Sequence, residues 1–200
     1  MDNFLILKAT LLLFAIVNPI GSIPIFLQLT QGMSRKQRQH AFGTGVLAAA
    51  AILIIFLLAG KWILSNVFQI SIFDLMAAGG LLLIIIAIDH LIFGSLVKGV
   101  LSQGHEDPGH IGAVPIACPI LAGPGAMMTV LVMATTYGFM PTVMAIVVVI
   151  AITWVILQFM DVIYKILGRT VCTVLSKILS LFIAAIGIRF LMQGLMAYLR

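Results

Sequence analysis

Asn18-Pro19-Ile20-Gly21-Ser22-Ile23-Pro24 stands inside a long apolar run, and its pattern returns 100 residues later as Pro119-Ile120-Leu121-Ala122-Gly123-Pro124. Proline within a helix removes a backbone hydrogen bond and clashes with the preceding turn. Two prolines five residues apart with Gly21 between them therefore predict an unwound turn, and Gly123-Pro124-Gly125, preceded by Pro119 and Pro115, predicts a more severe one. The same shift maps Ile86-Ala87-Ile88-Asp89-His90-Leu91-Ile92-Phe93-Gly94 onto Ile186-Gly187-Ile188-Arg189-Phe190-Leu191-Met192-Gln193-Gly194. Two matches in one register indicate an internal duplication.

The surroundings of these motifs are hydrocarbon-like. Of the 200 residues 62% are hydrophobic and 8% charged, with a mean hydropathy of +1.25. A soluble domain carries charge on roughly a quarter of its residues, and a disordered chain lacks the apolar excess. Too few polar residues exist to coat a surface, so lipid has to be the solvent. A bilayer-spanning helix needs about 20 mainly apolar residues. Six blocks meet that length: about 4–29, 41–64, 71–95, 113–136, 140–163 and 178–198. Asp2 and Lys8 flank the first block without a small-residue cleavage site, which reads as a retained helix rather than a signal peptide.

Net charge +5 would suggest nucleic acid in a soluble protein, but the basic residues lie between apolar blocks without interleaved aromatics. Nucleic-acid binding is excluded. Alternate connections hold Arg35, Lys36, Arg38, Lys98, Lys165, Arg169 and Lys177, whereas the opposite side has Lys8, Lys61 and Arg200. The positive-inside rule then places both termini outside and the basic connections in the cytoplasm, in a cell (inner) membrane. The expected fold is all-α: a first three-helix repeat over 1–100, a connection over 101–112, and a second repeat over 113–200. Three spans per half is an odd number, so the second repeat is inverted, with helices 1 and 4 discontinuous. Inverted repeats with broken helices are typical of secondary transporters.

Backbone groups freed by the breaks cannot face lipid and must line a polar cavity or be buried in protein. Each break makes a half-helix N-terminus that attracts an anion, and leaves carbonyls suited to an ammonium or a cation. Together they describe a receptor for a zwitterion. Candidate substrate-binding residues are Asn18, Pro19, Gly21, Ser22 and Pro24 at the first break, and Pro119, Gly123, Pro124, Gly125 and Ala126 at the second. Neither motif contains an acid or a base, so a charged substrate side chain would be buried unpaired.

The segment 18–24, together with Pro115-Ile116-Ala117-Cys118-Pro119-Ile120-Leu121-Ala122-Gly123-Pro124-Gly125, resembles the paired signatures of the MarC family of integral membrane proteins. The resemblance covers the whole chain, including the basic first connection and Ala78-Gly79-Gly80; Ile116 stands where a leucine is commoner. It implies a transporter fold and, since members include small neutral amino acid transporters, a cargo of the glycine or alanine class.

Intramembrane charges by default suggest function. Asp89 and Arg189 are equivalent under the 100-residue shift, but inversion sets them roughly 18 Å apart in depth at ~1.5 Å per residue. Depth instead matches Asp74 with Arg189 outside and Asp89 with Lys177 inside. These groups, Asp74, Asp89 and Arg189, either carry a coupling proton or anchor the helices at the interface; backbone carbonyls offer a coupling sodium ion an alternative site. His105-Glu106-Asp107-Pro108-Gly109-His110 reads as a solvated connection, and Cys118 and Cys172 as small hydrophobes. No metal or cofactor is expected. No HExxH, GxSxG or paired carboxylates accompany the breaks, which argues against an enzyme. A channel or an exporter for another small polar solute, and less so an intramembrane enzyme, are the alternative readings.

Overall fold

The computed structural model describes residues 3–93 and 121–197, and among these it is helical throughout, without a strand. Helix α1, Asn3–Val17, stops where Asn18 adopts φ +46°, and α2, Ile23–Leu29, resumes after a turn. Next come α3, Arg35–Trp62, and α4, Ile72–Ile88, each running on into a single wide π turn, Ile63–Val67 and Asp89–Phe93 respectively. The second half supplies α5, Pro124–Thr136, α6, Phe139–Gln158, and α7, Met160–Met196.

Four stretches are long and apolar enough to cross a bilayer: Arg35–Val67, Ile72–Ile92, Phe139–Gln158 and Thr170–Met196. Helices α1 and α5 are apolar but shorter, as expected of pieces flanking the two proline motifs. Pro115, Cys118, Pro119 and the 101–112 connection lie outside the described residues.

Two boundaries differ from the sequence expectation. Arg35, Lys36 and Arg38 belong to the first turn of α3 rather than to a loop, because Ser34 and Gln37 form a reciprocal capping box. The block expected over 140–163 ends at Gln158, and the basic stretch from Lys165 to Lys177 is helical instead of a connection. Gly168, at φ +73°, bends α7 there and lets helix continue on both sides. A hydropathy count sees only the apolar part of a helix, so polar first turns are lost to it.

Packing is closest between α4 and α7. A Cβ added to Gly80 would stand 2.5 Å from the Leu191 nitrogen, and one on Gly194 would stand 2.6 Å from the Ala77 nitrogen and the Phe73 carbonyl oxygen. Small residues let two backbones touch, which is how membrane helices gain van der Waals attraction when lipid is as apolar as leucine. Helix α1 packs on α6 and α5, α3 packs on α5 and α6, and α4 packs on α5. The core between them takes Ala9, Leu13 and Val17 from α1, Leu53 from α3, and Ala145, Ile146 and Val149 from α6. Leu47, Ile55, Leu58, Leu181 and Ile188 point outward, where only lipid gives them an apolar surrounding.

Candidate functional site

Val17 is the last residue of α1 because the next two positions cannot continue it. Pro19 has no N–H to offer the carbonyl of Ala15, and Asn18 turns into the left-handed region that asparagine tolerates. The turn is then closed by its own polar groups. Asn18 Oδ1 accepts the Gly21 N–H at 3.0 Å, and the Asn18 carbonyl accepts both the N–H and the hydroxyl of Ser22 at 3.1 Å. A side chain at Gly21 would collide with the Asn18 carboxamide, so glycine is required for this wrap. The Ser22 carbonyl in turn receives the N–H groups of Ile25 and Phe26, and Ile23 donates to Ile20. Pro24 lacks a donor. The first break therefore pairs the amides of Gly21, Ser22 and Ile23 within itself.

One polar group is left over. Asn18 is 2% exposed, and its Nδ2 has no hydrogen-bond partner among the described residues. Because Oδ1 already accepts from Gly21, the unpaired group of Asn18 is a donor, whereas the sequence alone allowed it either role.

The second break is described from Leu121 onward. Gly123 caps α5 in an extended conformation, Pro124 takes the first helical position, and Met127 donates to the Gly123 carbonyl. That leaves Gly125 and Ala126 as first-turn amides without an intrahelical acceptor, at the positive end of the helix dipole. Leu121, Ala122, Gly123, Gly125 and Ala126 are buried, whereas Pro124 is exposed. Gly125 also lies against Leu83 of α4 and Ile16 of α1, so its missing side chain makes room for packing as well as for backbone approach. Ile16 is two residues from Asn18. The two breaks are thus neighbours in space.

The three candidate charges occupy different settings. Asp74 is held in the capping box of α4, accepting the N–H and hydroxyl of Ser71 at 2.8 and 2.7 Å. Arg189 is exposed on α7. Asp89 is buried at the start of its π turn. Among the described residues no group of three or more histidine, cysteine, aspartate or glutamate side chains could hold a metal ion.

Two features escaped the sequence reading. Arg38 forms an ion pair with Asp161, which no linear pattern announces. Thr153, in the second half of α6, is fully buried, with its hydroxyl unpartnered among the described residues. Its only sequence signal is a hydroxyl within an apolar run.

Comparison with known proteins gives a consistent identity. The profile described as MarC family integral membrane protein matches residues 3–199. A UPF0056 membrane protein of Buchnera aphidicola subsp. Baizongia pistaciae is 36% identical over 194 residues, spanning 92% of this chain and 89% of that one. The UPF0056 membrane protein YhcE of Escherichia coli is 32% identical, covering 92% and 88% of the two chains. An archaeal UPF0056 membrane protein from Archaeoglobus fulgidus is also 32% identical, with the same shares covered. No solved structure matches.

Proposed function

The chain belongs to the MarC family of integral membrane proteins, and on that footing we propose that it is a secondary transporter of small neutral amino acids. Its six spans form two inverted three-helix repeats, and the cargo sits between the two breaks near mid-membrane.

The observation that carries this reading is a repeat of burial, not of sequence alone. Positions 80–88 and 180–188 run through the same order of buried, half-buried and exposed residues. Positions 45–51 and 53–57 likewise match 145–151 and 153–157. The contacts of α3 with α6 and of α4 with α7 each join a helix to its counterpart under the same shift. Gly80 and Gly187 at the close crossing exchange with Ser180 and Ala87, both fully buried small residues. Such a two-fold within one chain gives two equivalent ways of opening, one to each side.

Chemistry at the centre suits a zwitterion without a charged side chain. The Gly125 and Ala126 amides and Asn18 Nδ2 supply donors for a carboxylate, and the carbonyls ending α1 face the ammonium. Ile23 and Leu121, both buried, are the proposed neighbours of a side chain no larger than a hydrogen or a methyl group. Asp89, buried near the end of its span, is the proposed carrier of a coupling proton, with sodium on backbone carbonyls as the other arrangement. In this reading the protein is no enzyme, resides in the inner membrane and has both termini outside.

The test is counterflow in proteoliposomes. Vesicles loaded with unlabelled alanine should accumulate labelled glycine or alanine, and lysine or glutamate inside should not drive it. Passive equilibration insensitive to the internal solute would favour a channel, and absence of both would remove the transport reading.

A further inference from the structure

We propose that Thr153 is a substrate-contacting residue, its hydroxyl joining Asn18 Nδ2 in binding the carboxylate of a small zwitterionic solute. The inference rests on the transport reading above and deepens it by adding span five to a site otherwise built from the two breaks.

The argument begins with what hydroxyls do in apolar helices. Serine and threonine normally donate to the carbonyl four residues earlier, which removes their polarity from the surroundings. Thr30, Thr129, Thr142 and Ser180 all do so, at 2.7–2.8 Å to Phe26, Gly125, Gly138 and Ser176. Thr153 is as buried as these, at 0% exposure, yet its hydroxyl has no partner among the described residues. Packing does not call for a hydroxyl at this place. The position 100 residues earlier, Leu53, is equally buried and is filled by hydrocarbon. An unpaired hydroxyl in an apolar interior is costly, and a bound oxygen acceptor offsets that cost.

Position supports the same conclusion. Thr153 lies on the inward stripe of α6, with Thr142, Ile146, Val149 and Leu157. Helices α5 and α6 are joined by Tyr137 and Gly138 alone, so they run antiparallel, and equal lengths from that turn set Thr153 level with Ala122 at the second break. Gly125 adjoins Ile16, two residues before Asn18 with its unpaired Nδ2. Helix α1 itself packs on α6. Two orphan donors thus stand near one level, one on α6 and one just past the end of α1, which packs on it. Asn18 Nδ2 can only donate and the threonine hydroxyl has a proton to give, so the complementary group carries acceptor oxygens. A carboxylate is the part of a neutral amino acid that does.

The experiment measures glycine and alanine binding to the purified full-length protein, together with its melting temperature, for wild type, Thr153→Val and Thr153→Ser. Valine keeps the shape and deletes the hydroxyl. The expected result is binding about tenfold or more weaker in Thr153→Val, an unchanged or higher melting temperature without ligand, and binding near wild type in Thr153→Ser. Wild-type affinity in Thr153→Val overturns the assignment while leaving the transport reading intact. Failure of the wild type to bind or counterflow any neutral amino acid overturns both.

Discussion

Arg38 and Asp161, 123 positions apart, meet through Nη1 of the guanidinium, which lies 2.7 and 2.8 Å from the two carboxylate oxygens. The contact joins the first turn of α3 to the start of α7, tying the first half of the chain to the second. Arg38 is the more enclosed partner, its side chain 20% exposed against 57% for Asp161. Exposed ion pairs contribute about 0.2–1 kcal/mol. A double-mutant cycle of Arg38→Gln and Asp161→Asn, read by thermal melting in detergent, should give a coupling in that range that shrinks as salt is added. A coupling near zero at low salt would make the pair incidental.

The closest helix crossing makes a sharper prediction. Gly80→Val would drive a side chain into the backbone of Leu191 and the carbonyl of Gly187. Backbone cannot move aside as a flexible side chain can, so the loss should exceed the roughly 1–3 kcal/mol of ordinary overpacking, and little folded protein should be recovered. Gly43 in α3 has nothing within 4 Å of its would-be Cβ. Gly43→Ala should be neutral or stabilising by up to about 1 kcal/mol, since alanine is the better helix former. Equal recovery of Gly80→Val and wild type from membranes would contradict the crossing.

Gly125 separates packing from ligand approach. A Cβ there would stand 2.5 Å from a methyl of Leu83. Gly125→Ala should therefore cost about 1–3 kcal/mol of stability, and Leu83→Ala in the same chain should return part of it by clearing the space. If the double variant melts as low as the sum of the single losses predicts, Leu83 is not what the glycine accommodates.

Asn18 combines two demands, a left-handed backbone and a free donor. Asn18→Gly keeps the backbone at ease, whereas Asn18→Ala keeps a Cβ in a region costing about 1–2 kcal/mol and loses the side-chain hydrogen bond that offsets it. The glycine variant should melt above the alanine variant. Both should lose glycine binding, and Asn18→Asp should lose it most completely because a carboxylate would face the substrate's own. Retained binding in Asn18→Asp, measured by the same assay, would remove Asn18 from the anion side of the site.

Much was legible along the chain because its causes are local. An excess of apolar residues with few charges demands lipid wherever the chain goes. Proline at 19 and 24 lacks a donor in any context, so a break was readable before any neighbour was known. Helix starts at Arg35 and inside the stretch from Lys165 to Lys177 were not readable by hydropathy. They are set by the Ser34–Gln37 cap and by the bend at Gly168, within helix that hydropathy does not register.

What the amino-acid order determined alone was the solvent, the helical class and the positions of the breaks. Only the tertiary structure decided what the breaks are made of. Asn18 could have donated or accepted until the turn brought the Gly21 N–H onto its oxygen, leaving the nitrogen as the available group. Thr153 was one hydroxyl in an apolar run until the folded helix left it without the bond that Thr129 and Thr142 make. The reason is the low dielectric around both residues. Along the sequence a polar atom has no fixed partner, whereas in a dry interior each one is either paired by the fold or left for something else to pair.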